Sequence, residues 1–207
     1  MNCSITLHNM MSNDGELPTI ELTTPRLRLR QWQASDYRPF AELNANTDVM
    51  AHFPAPLTAA ESRQIADKCH QLIASRGWGF WAVELKTTGE FIGFVGLHTP
   101  SDALPFSPCV EIGWRLARPY WRQGFATEAA EEALRFAFTV LGLPRVVAFT
   151  PIDNHRSRAV MLRLGMRNTE ENFLHPDIAA DSPHAEHVLF AIEQQQWKRQ
   201  HARVQLG

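Results

Sequence analysis

Residues 109–150 read CVEIGWRLARPYWRQGFATEAAEEALRFAFTVLGLPRVVAFT, and three local patterns divide them. In the first eight residues Val110, Ile112, Trp114 and Leu116 alternate with Glu111, Gly113 and Arg115, the period of a strand. After a loop at Ala117–Gln123, an Ala-rich run continues to Leu141 as a long helix, stopped by Gly142 and Pro144. RVVAFT, 145–150, returns to strand character. Strand, helix and strand in that order make a crossover unit, which belongs to a sheet with helices packed on it.

On the N-terminal side, RLRLRQW (26–32) alternates apolar and basic residues as a strand. A helix is predicted after Ser35, with Pro39 tolerated where helix amides lack internal acceptors. Thr58 and Glu61 form a capping box for a second helix, whose face carries Ile65, Cys69, Leu72 and Ile73 and which stops at Gly77. WGFWAVELK and FIGFVGLH flank a Gly-containing turn at Thr87–Glu90, a hairpin pattern. On the C-terminal side a short helix after Asn154 ends at Gly165, a polar loop spans 175–186, and HVLFAI is a last strand before a polar end. The expected fold is α/β (α+β), a mixed sheet of about seven strands with helices on both faces. Residues 1–19 are expected to be a loose leader, 20–198 one domain, and 199–207 a polar tail.

Composition excludes several classes. The 207 residues are 44% hydrophobic and 20% charged, enough to fill a core. No apolar run approaches membrane-span length, and the first basic residue is Arg26, so a cytoplasmic chain without a membrane partner is expected. Cys3, Cys69 and Cys109 are too few and too scattered for a disulfide framework or a zinc knuckle. With 20 basic and 22 acidic residues there is no global attraction to nucleic acid. Yet 17 of the basic residues are Arg, in two clusters: Arg115, Arg118 and Arg122, then Arg156, Arg158, Arg163 and Arg167. Arginine's planar fork suits phosphate, so each cluster is a candidate anion site.

The stretch Leu116–Ala129 carries the clearest chemistry. Gly124 permits positive φ or close backbone approach where the helix begins. The first-turn amides of Phe125, Ala126 and Thr127 lack partners within the helix and form a seat for a diphosphate, with Arg122 adding charge. Neither the Walker loop nor the GxGxxG fingerprint is present. An ordinary strand-to-helix turn that needs a Gly reads the same way.

WRQGFATEA, preceded by VEIGWRL and followed by N-x-x-S and LGM, resembles the GNAT superfamily of acetyl-coenzyme A-dependent N-acetyltransferases, in particular the branch of ribosomal-protein N-terminal acetyltransferases. The resemblance runs from about residue 20 to about 197. It implies a mostly antiparallel sheet with a splayed central parallel pair, and acetyl-coenzyme A as co-substrate with no metal. The family's glycine loop falls on Trp121-Arg122-Gln123-Gly124-Phe125-Ala126, with Trp where Gln or Arg is usual. Leu116 matches the position whose main chain pairs with the pantetheine arm, and Asn154 and Ser157 match N-x-x-S. Many members carry a Tyr acid where this chain has Met161; in the ribosomal-protein branch the acid is the Ser, here Ser157.

Direct attack of a neutral amine on the thioester needs a proton acceptor, and Glu111, on a central strand and sharing a face with open Gly113, is the candidate. Pairing with Arg115 on the same face is its alternative role, and capping of the following helix is that of Ser157. Trp32, Trp78, Phe80 and Trp81, with His98, are candidates for the acceptor's wall. The loop holding His175, Asp177, Asp181, His184 and His187 lacks a zinc-site pattern and is placed to meet a cationic acceptor or a partner subunit. Transfer to a protein N-terminus or a small amine, by a monomer or homodimer, is the expected activity; a non-catalytic acyl-coenzyme A-binding module is the alternative.

Overall fold

The computed structural model of the chain describes residues 20–100 and 102–202. The expected leader, Cys3 within it, and the last five residues of the expected tail lie outside the described residues. The strands are β1 (Leu22–Thr23), β2 (Leu27–Arg30), β3 (Phe80–Leu85), β4 (Phe91–His98), β5 (Glu111–Leu116), β6 (Arg145–Pro151), β7 (Arg167–Asn168), β8 (Phe173–Leu174) and β9 (Glu186–Glu193). The helices are α1 (Tyr37–Ala45), α2 (Ala59–Arg76), α3 (Phe125–Thr139), α4 (His155–Arg163) and α5 (Gln194–Ala202).

All the strands join one sheet in the order β1-β2-β3-β4-β5-β6-β9-β7, with β8 also on β9. Neighbours are antiparallel except at β5 and β6, the parallel pair created by the α3 crossover. Those two strands share one register pair, Glu111 with Val147, and Val147 N donates to Val110 O at 3.0 Å. Beyond that pair they diverge, as the resemblance implies. The sheet has nine strands among the described residues where about seven were expected. Six of the nine are long enough to read, whereas β1, β7 and β8, two residues each, are too short to show alternation.

Helices cover both faces. Phe94 of β4 packs towards Phe40 of α1 (centroids 5.9 Å apart), whereas Trp81 of β3 meets Phe136 of α3 at 5.5 Å. Trp81 pairs across the hairpin with Val95, next to Phe94 in sequence and therefore on the opposite face. Local signals hold at the helix ends. Thr58 Oγ1 accepts from Glu61 N (3.2 Å) and the Glu61 carboxylate accepts from Thr58 N (2.8 Å), while Gly77 closes α2 at φ +83°. A short 3-10 turn at Ala34–Asp36 leads into α1 and leaves Pro39 in its first turn.

The stretch read as a polar end is instead largely helix α5. Trp197 is buried with its ring 5.5 Å from Phe138, and Gln194 Nε2 donates to Phe138 O and Gln196 Nε2 to Gly165 O. One apolar anchor in nine residues gives no helical period to read. No helix among the described residues is long and apolar enough to cross a membrane.

Candidate active site

The turn into α3 is held from a distance. Glu128, in the first turn, accepts from Thr24 Oγ1 (2.5 Å), Arg26 N (2.9 Å) and Arg26 Nε (2.6 Å). Arg26 also donates to Gln123 O at 3.0 Å and lies 4.4 Å over the Phe125 ring. Burial opposes ionisation of Glu128, but the Thr24 hydroxyl and the Arg26 groups outweigh it and hold its carboxyl below the ordinary range. With the turn clamped, Gly124 takes φ +82° and Arg122 takes φ +60°, a left-handed conformation uncommon for a side-chain-bearing residue. The amides of Phe125, Ala126 and Thr127 find no acceptor among the described residues. They open on a cleft of about 780 Å³ whose wall includes Arg122, Gly124, Phe125, Ala126 and Thr127. Gln123 faces away, its Nε2 donating to Pro119 O.

The same cleft follows the gap where β5 and β6 part. The polar backbone groups of alternate residues point to the same edge, so those of Ile112, Trp114 and Leu116 follow Val110 towards the gap. Leu116 lines the cleft, but its carbonyl already accepts from Trp121 Nε1 at 2.8 Å. That bond gives Trp121 a function, and its ring also lies between the guanidinium groups of Arg118 (4.9 Å) and Arg156 (4.5 Å). The two arginine clusters therefore converge: Arg122, Arg156 and Arg163 all line the cleft.

Across the gap, α4 begins at its cap. Asn154 Oδ1 accepts from Ser157 N (3.2 Å), so the cap is Asn154 and the capping role considered for Ser157 falls away. Asn154 Nδ2 donates to Thr150 Oγ1 (2.9 Å) and Ser157 Oγ (3.2 Å), which leaves the Ser157 proton free to donate. Ser157 and Asn154 both line the cleft; so does Met161, whose side chain is buried.

Glu111 stands where the strands part. Burial alone raises its carboxyl to about 7, and no side chain among the described residues forms an ion pair with it. The alternative pairing with Arg115 is absent: Arg115 Nη1 donates to Asn44 Oδ1 at 2.7 Å. The Gly113 face is less open than its sequence suggests, because a Cβ there would meet the Phe80 ring at 3.1 Å. Burial also pushes Cys69 up to about 12 and Cys109 up to about 11, so neither is a thiolate at neutral pH.

The acceptor wall differs most from expectation. Trp81 is fully buried with Nε1 on Ile20 O, and Trp32, 3% exposed, donates to Phe80 O. Trp78 lies beneath Arg76, whose guanidinium is 3.8 Å from the ring. His98 stacks on Phe80 at 5.4 Å, and burial, with Arg76 and Lys68, lowers its pKa to about 4. None of the four lines the cleft. Large rings win more free energy in the core, where each indole N–H can find a carbonyl. The rings that do line it include Phe80, named with those candidates, and Phe53, Phe94, Trp114, Tyr120, Trp121, Phe125 and Phe149. Phe53, in the loop between α1 and α2, carries no periodic signal to mark it.

The His-rich loop also divides. His187 is buried, its Nδ1 3.1 Å from Ala185 O, beside Phe149, Phe173 and His175. His184 instead meets His52 and Asp153, and ligand atoms of these three lie within 4.8 Å of one another, close enough to share a cation. His52 Nδ1 is 3.4 Å from Asp153 Oδ1, so a protonated His52 pairs there without any metal. Asp177 and Asp181 are exposed.

Comparison with known proteins agrees with this architecture. Residues 26–167 match the family model of the acetyltransferase (GNAT) domain. The FsC-acetyl coenzyme A-N(2)-transacetylase of Aspergillus fumigatus is 31% identical over 172 residues, covering 79% of this chain and 72% of that protein. A GNAT-family acetyltransferase structure from Bacillus anthracis superposes with a TM-score of 0.71 at 24% identity, over 85% of this chain and 99% of that one. The ribosomal-protein-S5-alanine acetyltransferase of Vibrio fischeri shares the fold at a TM-score of 0.64 and 19% identity, over 86% of this chain and 98% of that one. A free-amide turn before α3, a sheet parted at its parallel pair and a family model spanning both lead to one assignment: this chain is an acetyltransferase of the GNAT family.

Proposed function

We propose that this acetyltransferase moves the acetyl group of acetyl-coenzyme A directly to a primary amine, on a protein N-terminus or a small molecule, with both bound together. The observation that carries the reading is a single cleft joining the free amides of α3, the open edge of β5 and the unpaired Glu111. The residues fit the co-substrate: an uncapped helix N-terminus suits its diphosphate, and a strand edge suits its amide-bearing arm.

Phe125, Ala126, Thr127 and Arg122 hold the diphosphate, and the edge of β5 at Ile112, Trp114 and the Leu116 N–H holds the arm. Glu111 takes a proton from the amine, directly or through one water. The nitrogen lone pair forms the C–N bond, the C–S bond breaks, and Ser157 Oγ passes its proton to the departing sulfur and regains one from solvent. Asn154 positions that hydroxyl. An α-amine, with a pKa near 8, needs less help than a lysine-type amine near 10.4. A base poised at about 7 matches the easier case. The elevated thiol pKa values of Cys69 and Cys109 support direct transfer over an acetyl-cysteine route.

The test is thiol release from acetyl-coenzyme A across a panel of amines, including peptides with N-terminal Ala or Ser. Release that depends on an amine and follows a sequential kinetic pattern is expected. Thiol release with no amine dependence, or a ping-pong pattern, would overturn direct transfer.

A further inference from the structure

Two other arginines, Arg30 buried and Arg26 exposed, are each held by carboxylates. Arg30, buried at the end of β2, is held by Asp36 (2.7 Å) and by Glu84 (2.5 Å). Arg26 is held by Glu128 at 2.6 Å. Arg115 has no such partner, a lack it shares with Arg76, which does not line the cleft. Arg115 sits on β5 four residues from Glu111 on the same side of the strand, and both line the cleft.

No carboxylate among the described residues pairs with Arg115. Its Nη1 donates to the neutral Asn44 Oδ1, and the rings of Phe53 and Phe94 lie 4.3 and 5.4 Å from its Cζ. Nε is buried with no acceptor. Burial lowers its pKa only to about 10, so the group stays cationic at neutral pH. An enclosed cation without an anion is costly, and an anionic ligand in the same cleft would offset that cost. Nε lacks an acceptor, and a guanidinium with a free donor suits a carboxylate oxygen.

We propose that Arg115 receives a carboxylate of the acceptor, so that the substrates are amines carrying a carboxylate several bonds from the reacting nitrogen. This rests on the transfer reading above. The Cα atoms of Glu111 and Arg115 are separated by roughly 13 Å, four strand residues at about 3.3 Å each. At that spacing an α-amino acid, with one carbon between its two groups, fits less well than a longer chain. A longer ω-amino acid, or a peptide with its carboxylate further along, spans the gap. Phe53 and Phe94 would flank the intervening chain and the guanidinium together.

The test compares ω-amino acids from β-alanine to 6-aminohexanoate with their carboxamides, on the full chain. Two readouts are used: kcat and KM from thiol release, and calorimetric binding to the protein saturated with coenzyme A. At the best length the carboxylate should exceed its carboxamide by about 10- to 100-fold in kcat/KM, chiefly through KM, as a charge-assisted pair implies. Arg115→Gln should bring that ratio to about 1, and Arg115→Lys, lacking the fork, should restore only part of it. A ratio near 1 at every length in the native chain overturns the proposal, as does a preference that Arg115→Gln leaves intact. The native ratio needs no variant, so misfolding of a substituted chain does not shield the idea. Calorimetry separates the two readings. A carboxylate preference without thiol release from any amine keeps the Arg115 assignment and defeats transfer; thiol release without the preference does the reverse.

Discussion

At Glu111 the burial that lifts the carboxyl to about 7 acts on stability and on turnover in opposite directions. The folded protein binds this proton more tightly than the unfolded chain, whose carboxyl titrates near its ordinary value of 4.5. Stability from that proton is complete below about 4.5 and is lost as the pH rises through about 7, at a cost of about 3 kcal/mol. Glu111→Gln removes the penalty, so its Tm should exceed the native one by about 6–12 °C at pH 8, a gap that narrows towards pH 5 in thermal melts. In the proposed mechanism turnover needs the ionised form. Native kcat/KM should climb through about pH 7, and Glu111→Gln should lose about 100-fold along with that limb of the profile. Ser157→Ala, with Asn154 still capping α4, should lower kcat about 10-fold and leave the KM for acetyl-coenzyme A nearly unchanged. A Glu111→Gln chain with an unaltered rate and profile would make that carboxylate structural. Alternation placed Glu111 on its strand face, yet that same alternation could not reveal Phe80 over Gly113 or Asn44 on Arg115.

The first turn of α3 illustrates what an element shows of itself and what it hides. Gly124 and the amides after it were legible because the sequence there has a local consequence: a helix start with no side chain to cap it. Its clamp was not legible, since Arg26 and Glu128 stand 102 residues apart and neither belongs to a recognisable spacing. Glu128→Ala should destabilise the fold by about 2 kcal/mol, because charge-assisted bonds to a largely buried carboxylate are lost. It should also raise the KM for acetyl-coenzyme A more than it lowers kcat, since the amides would no longer be held in place. The carboxyl of Glu128 is held below its ordinary value, so this stabilisation is present above about pH 4.5 and fades as the pH falls; urea melts at pH 4 and pH 7 check the trend. Gly124→Ala forces a side chain to φ +82°, with its Cβ 3.3 Å from Arg26 Nη2. Calorimetry with coenzyme A should show about 10-fold weaker binding, since strain of about 1–2 kcal/mol falls on the binding turn itself. Unchanged affinity would remove that turn from the binding site.

Across the whole molecule, the order of long strands and helices followed from periodicity and punctuation, and the crossover fixed the parallel pair. What escaped were elements defined by their neighbours: the two-residue strands, α5 docked by Trp197, and the core positions of Trp32 and Trp81. A ring's burial depends on what folds over it, and no spacing within one segment reports that. The single register pair between β5 and β6 has a mechanical meaning. A seated reactant would stitch the two halves of the sheet along their seam, and its departure as free thiol would leave the molecule at its loosest. Enzyme starved of co-substrate should therefore melt earlier and be cut sooner by proteases than enzyme kept supplied.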